Sequence, residues 1–367
     1  MTNHAEVQRI LDHAVAHEDV PGIVTQLTDR NGTWFGAAGV ADTATGRPRE
    51  RGDQFRVASI GKAFTAAVVL RLAAEGRVDI DDPVAAWLPE VLRGSAYDGS
   101  TMTVRQLLNG TSGLHNTATS DEIVRRLHTR AGLAEHRFDV WRTEDLLELA
   151  VSRPPVGEPG QRFAPTNGGY FLAAAVVERV TGRSYADELE RTVIQPLGLT
   201  GTYLPGPTET RLRGPHPRAY TRMFVDEAEA AGEPVDVTEV NPSVVWSAGA
   251  HVSTTDDLTR FFTALATGDL LPPAQHEDMW TTVSTEGADW IPNTAYGLGV
   301  FELRLASGAT LRGGVGNGPG TVALAMGTAD GHLLVTHANS DWNAFPVFFR
   351  QLEAEFAPTG TRGARAR

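Results

Sequence analysis

The sequence predicts an α+β fold: an antiparallel sheet flanked by helices, with a long, mostly helical segment inserted into it. Strand-like runs gather near the two ends of the chain, at residues 22–40 and 296–337, while helical periodicity dominates the middle. The runs near each end are joined by hairpin signals, Asn31-Gly32 and Asp330-Gly331. At 367 residues the chain is too long for one simple core and suits two subdomains. The expected boundaries are 1–82 with 241–357 for the sheet part, 83–240 for the helical part, and 358–367 for a disordered Gly- and Arg-rich tail.

The elements follow in order. Val7 to His17 is an amphipathic helix with Val7, Ile10, Leu11 and Ala14 on one face. Gly22–Leu27 and Thr33–Val40 form a hairpin across Asp29-Arg30-Asn31-Gly32. Ser59 to Glu75 is a buried helix stopped by Gly76. Within a mostly helical stretch from 83 to 240, Thr143–Val151 and Gly169–Thr181 are helices, Val104–Leu108 precedes a turn at Gly110–Leu114, and the dense Pro and Gly of 153–168 and 205–217 mark surface loops. Ser253 to Ala266 is a helix capped by Ser253 or Thr254. Strands are expected at Tyr296–Leu303, Thr310–Arg312, Thr321–Gly327 and His332–His337, before a closing helix at Asn343–Phe356.

One residue stands out chemically. Of the 32 basic residues, only Lys62 is a lysine. Arg stays protonated in proteins, whereas a buried Lys can be tuned to release its proton. Lys62 lies in Ser59-Ile60-Gly61-Lys62, one helical turn after Ser59 and on the same face. A hydroxyl at a helix N-terminus also has the positive end of the dipole near a developing oxyanion. Ser59 and Lys62 are therefore a candidate nucleophile and base.

Composition narrows the partners. A formal net charge of −13 argues against a phosphate-backbone partner. The absence of cysteine excludes disulfides, thiolate metal sites and a cysteine nucleophile. No run of eighteen apolar residues is present to span a membrane, and the N-terminal stretch does not read as a secretory signal. The expectation is a cytoplasmic protein with a small-molecule acyl substrate, no metal or cofactor, and no nucleic-acid or membrane partner.

Four blocks, in order along residues 20–355, carry a resemblance. They are Phe55-Arg-Val-Ala-Ser-Ile-Gly-Lys-Ala-Phe-Thr, Thr103-Val-Arg-Gln-Leu-Leu-Asn-Gly-Thr-Ser-Gly-Leu, Ser247-Ala-Gly-Ala-His-Val-Ser-Thr-Thr-Asp-Asp-Leu and Tyr296-Gly-Leu-Gly. Together they resemble the serine β-lactamase-like superfamily, particularly class C β-lactamases and soluble DD-carboxypeptidases. The resemblance implies the β-lactamase/DD-peptidase-like fold, an acyl-enzyme on Ser59, proton transfer through Lys62, and an oxyanion hole from the backbone N–H groups of Ser59 and Asn317.

The chain departs from that family at three places. The Tyr-x-Asn motif reads Pro165-Thr166-Asn167, so Asn167 remains as a substrate or lysine contact but the phenol is gone. The His-Thr-Gly strand motif reads Gly314-Val315-Gly316, and Val315 lacks the hydroxyl that would bond a substrate carboxylate. Phe301 stands where a carboxylate-binding Arg is expected. Burying a carboxylate without partners would cost several kcal/mol. An ester, amide or thioester without a free carboxylate is the expected substrate, in hydrolysis or acyl transfer. Asn167, Asn317, Phe301, Val315 and His115 are its expected contacts. Either Lys62 acts alone as base or a histidine, His115 or His251, replaces the phenol. Two alternatives remain open at this point: a non-catalytic binding protein, and a D-alanyl-D-alanine carboxypeptidase or β-lactamase.

Overall fold

The computed structural model describes residues 4–357, so the tail expected to be disordered lies outside the described residues. The described residues begin with a helix, His4–His17, and a hairpin of β1 (Gly22–Asp29) and β2 (Gly32–Gly39). Asp29 pairs with Gly32 across Arg30-Asn31, and Gly32 takes φ +130°, a backbone shape that favours glycine. Two short ribbons follow. β3 (Phe55–Arg56) pairs with β6 (Val252–Ser253), and β4 (Tyr220–Thr221) pairs with β5 (Val235–Asp236).

The remaining strands are β7 (Val283–Ser284), β8 (Thr294–Tyr296), β9 (Phe301–Arg304), β10 (Thr310–Gly318), β11 (Thr321–Gly327) and β12 (Leu333–Ala338). Among the described residues, eight strands form one antiparallel sheet in the order β2-β1-β12-β11-β10-β9-β8-β7. The two ends of the chain meet where Ile23 faces Ala338.

Both faces of the sheet are covered, and the period of two shows which residue serves which face. From β11, Val322, Leu324 and Met326 join Val7 and Leu11 of the first helix and Val347 and Phe348 of the closing helix, Ala344–Phe356. Ala323 and Ala325 join the opposite cluster, with Phe64 and Val68 of the Gly61–Ala74 helix and Phe261 of the Thr255–Thr267 helix. The Gly61–Ala74 helix is apolar nearly all round and buries eleven of its fourteen residues, so it forms the centre of the molecule.

Three expectations need correction, and of the two capping residues expected one is observed. The buried helix begins at Gly61, after a 3-10 turn over Ala58–Ile60. The run read as one strand from Tyr296 is broken into β8 and β9, because Gly297–Val300 forms a turn in which Gly299 takes φ +71°. The strand expected to end at Arg312 continues to Gly318. Thr254, and not Ser253, caps the following helix by accepting from the Asp257 N–H. The strand extension has a steric cause. A Cβ at Gly313 would sit 1.9 Å from the Ala325 carbonyl oxygen, and one at Gly316 would sit 2.0 Å from that of Val57. Glycines here permit close backbone approach and do not make a loop.

Candidate active site

β3 and β6 bring Arg56 to the edge of the turn that carries Ser59. Val57 N–H then donates to the His251 carbonyl at 3.0 Å, and Ala58 adopts φ +47°. A non-glycine residue in this region is uncommon and signals a backbone fixed by its surroundings. The sharp turn leaves Ser59 half-buried at the start of the central helix, where it lines a cavity of about 420 Å³. That size accommodates a small organic ligand.

Lys62 lies one turn further along. Its Nζ is 2.8 Å from Ser59 Oγ and 2.7 Å from Asn167 Oδ1. Asn167 immediately precedes the Gly168–Thr181 helix, so the pair bridges two core helices. Among the described residues, no carboxylate pairs with Lys62, and burial pulls its ammonium down from 10.5 to about 7. At neutral pH a large share of Lys62 is an amine with a free lone pair. The Tyr170 ring centroid lies 5.5 Å from Nζ. The Tyr170 hydroxyl donates to the Leu108 carbonyl at 2.6 Å and is 3.2 Å from the Tyr296 hydroxyl, so this phenol is engaged away from Ser59.

The opposite wall comes from β10. Gly314, Val315, Asn317 and Gly318 line the cavity. A Cβ at Gly316 would stand 2.9 Å from Ser59 N, so glycine at this position keeps that N–H uncovered. Phe301 and Val315 are buried and present apolar surface. Phe163, Tyr296 and Trp290 extend this wall. The far side is built by Ile123, Leu127 and Leu133 from the helices Asp121–Leu127 and Arg130–His136.

The structure brings together Ser59, Lys62, Asn167, Asn317, Phe301 and Val315 around one cavity. It does not bring His115 there. That residue is buried, with Nδ1 3.4 Å from the Tyr97 hydroxyl and its carbonyl accepting from Thr166 Oγ1 at 2.7 Å. His251 is likewise absent from the cavity wall. It sits behind Gly61, where a Cβ would lie 2.4 Å from Nδ1, and its Nε2 is 2.9 Å from the Tyr185 hydroxyl. Burial pulls the His251 imidazole down to about 3. Neither histidine replaces the phenol. Pro165 itself lines the cavity, and Ser59 Oγ has Lys62 as its hydrogen-bond partner among the described residues.

Sequence reasoning missed Arg56 and the pair Asp289-Trp290, all of which line the cavity. Arg56 donates to the carbonyls of Thr210, Thr238 and Val240 at 2.8, 2.9 and 3.2 Å, tying the inserted region to the strand before Ser59. Its place next to Val57 in the nucleophile block was a usable signal. For Asp289 and Trp290 no local pattern was available.

The arrangement has clear counterparts. The Beta-lactamase family model matches residues 7–343. A penicillin-binding protein of Bacillus subtilis is 29% identical over 267 residues, which is 71% of this chain and 55% of the relative. Esterase EstB of Burkholderia gladioli is 35% identical over 206 residues, 53% of this chain and 50% of the esterase. The chain thus spans about half the length of these curated relatives. The solved structure of a D-stereospecific amidohydrolase from Streptomyces sp. superposes with a TM-score of 0.88 at 38% identity, covering 98% of this chain and 99% of that one. D-amino acid amidase from Ochrobactrum anthropi SV3, complexed with L-phenylalanine amide, gives 0.79 at 28% identity over 96% and 97%. With a family match across nearly the whole chain and a Ser–Lys pair in the cavity, this chain belongs to the Beta-lactamase family.

Proposed function

We propose that this chain is a serine hydrolase that forms an acyl-enzyme on Ser59 with a small amide or ester lacking a free carboxylate at the scissile end. The observation that carries this reading is the 2.8 Å contact between Ser59 Oγ and a buried lysine that has no counter-ion among the described residues. Neutral Lys62 directs one N–H to Asn167 Oδ1, which turns its lone pair toward the Ser59 hydroxyl. As Oγ bonds to the substrate carbonyl carbon, its proton passes to Lys62 and the N–H groups of Ser59 and Asn317 receive the oxyanion. The Lys62 ammonium then returns a proton to the departing amine or alkoxide as the carbon–heteroatom bond breaks. Water resolves the ester by the same path. With Pro165 where a phenol would stand, Lys62 serves every proton transfer.

The choice of substrate rests on the walls. Val315 and Phe301 offer no hydrogen bond to a carboxylate, which disfavours penicillins and peptidoglycan stem peptides. That the relatives aligning over almost the whole chain include an amidohydrolase and an amidase supports an amide. The test is intact-mass analysis after a fluorophosphonate probe and after phenylalanine amide or an aryl ester. A single adduct lost in Ser59→Ala is expected. Unmodified protein with every reagent, at pH values on both sides of 7, would remove the catalytic reading and favour a binding protein.

A further inference from the structure

One part of the cavity wall combines aromatic rings with an unpaired acid. The segment between β7 and β8 is fastened at its base. Thr285 Oγ1 donates to the Thr294 carbonyl at 2.7 Å, and Thr294 Oγ1 donates to that of Ile291 at 2.7 Å. From this segment Trp290 packs edge-on against Phe163, Tyr296 and Phe301, with ring centroids 5.7, 5.7 and 6.0 Å apart. All four rings line the cavity. The Trp290 Nε1–H is buried and has no acceptor among the described residues.

Asp289 adjoins this wall. Among the described residues it is the one carboxylate lining the cavity, it is solvent-exposed, and it forms no ion pair. The other ionisable cavity groups able to carry positive charge are Arg56, Lys62, His128 and Arg137. Arg56 and Arg137 donate to backbone carbonyls, Lys62 faces Ser59, and His128 Nδ1 is 3.2 Å from the Met223 carbonyl. None of them is held against Asp289. An unpaired carboxylate beside aromatic rings is the environment that retains an ammonium, through a charge-assisted hydrogen bond and cation–π attraction.

We propose that Asp289 and the Trp290 wall form the acyl-side subsite, and that the substrate carries a protonated amine on the carbon next to its scissile carbonyl. The ligand is then an α-amino amide or ester. Its ammonium pairs with Asp289 and its side chain lies on the rings of Phe163, Trp290 and Phe301. This rests on the acyl-enzyme reading for its catalytic meaning, but the subsite is testable by binding alone.

The experiment is isothermal titration of Ser59→Ala with phenylalanine amide, as each enantiomer, and with 3-phenylpropanamide, which lacks the amine. At pH 6.5 the amine of at least one enantiomer should tighten binding by about tenfold or more, the scale of one charge-assisted contact. In Ser59→Ala/Asp289→Asn the advantage should fall below about threefold, and in Ser59→Ala it should fade above pH ~8 as the amine deprotonates. Equal binding of the amino and deamino ligands, or an advantage that survives Asp289→Asn, overturns the proposal. Fluorophosphonate labelling of Ser59 reads the acyl-enzyme separately, so an amine advantage without labelling would keep the subsite and discard the catalytic step.

Discussion

At the scale of single residues, Lys62 is decisive. An ammonium buried without a counter-ion is destabilising, and the same burial makes it a base near neutrality. The acid limb of kcat/KM should therefore rise with pH as the amine loses its proton, with a midpoint near 7. A flat profile from pH 5.5 to 8.5, measured with a neutral ester, would exclude Lys62 as the base. Lys62→Arg should fold and lose about 100-fold or more in acylation rate, because a guanidinium does not deprotonate. Stability moves the other way. Between about 7 and 10.5 the folded state holds one proton fewer at this site than the unfolded chain, so folding gains stability as pH rises across that window. Lys62→Met removes the burdened charge and should raise the melting temperature at pH 7 while abolishing acylation. Composition alone pointed to Lys62, since a lone lysine beside thirty-one arginines marks a place where a removable proton matters. Asp289 carried no such mark, as nothing in a polar loop announces which acid faces a cavity.

At the scale of elements, the glycines of β10 show where pattern reading fails. The strand expected from local pattern stops at Arg312, yet Gly313, Gly314, Gly316 and Gly318 continue it as the central strand that presses against the Ser59 turn. Propensity speaks of isolated backbone, and here tertiary packing overrides it. Gly316→Ala should be costly twice. Its Cβ would meet the Val57 carbonyl at 2.0 Å, and overpacking of this kind destabilises by about 1–3 kcal/mol. It would also crowd Ser59 N, and loss of one oxyanion donor lowers kcat by about 10²–10³. Thermal denaturation and steady-state rates check the two effects independently. A variant with wild-type kcat would show that Ser59 N–H takes no part. The elements that were legible have strong local signals, such as the Thr143–Val151 helix and the Asn-Gly hairpin. The short strands β7 and β8, of two and three residues, exist only through their neighbours and left no periodicity to find.

At the scale of the whole molecule, the cavity lies between parts of unequal solidity. One wall belongs to the eight-stranded sheet and the largely buried central helix. The opposite wall rests on a small satellite cluster of Leu133, Phe224 and Val237, with Arg130 donating to the carbonyls of Glu229 and Glu233 and lying over the Phe224 ring. Fewer buried contacts mean a lower free energy of local opening. Amide hydrogen exchange in residues 121–140 and 219–240 should be faster than in β10–β12, and a bound ligand should slow the first two segments most. Uniform protection across both walls would contradict this. The α+β class was legible because strands at both chain ends can only meet in one sheet, as β1 and β12 do. The way the inserted region folds back over Ser59 was not, since it depends on long-range contacts such as those of Arg56 to residues 210, 238 and 240.

The lysine at the cavity floor has a practical consequence for anyone handling the protein. Its ε-amine is the one the chain possesses. Biotinylation, resin coupling and amine cross-linking ordinarily draw on a scatter of surface lysines, and this protein offers none. Leaving aside the α-amine, any amine-directed reagent that reacts has entered the cavity and reached Lys62. A routine labelling reaction thereby becomes an occupancy assay, in which protection by an added compound reports that the compound sits beside Ser59.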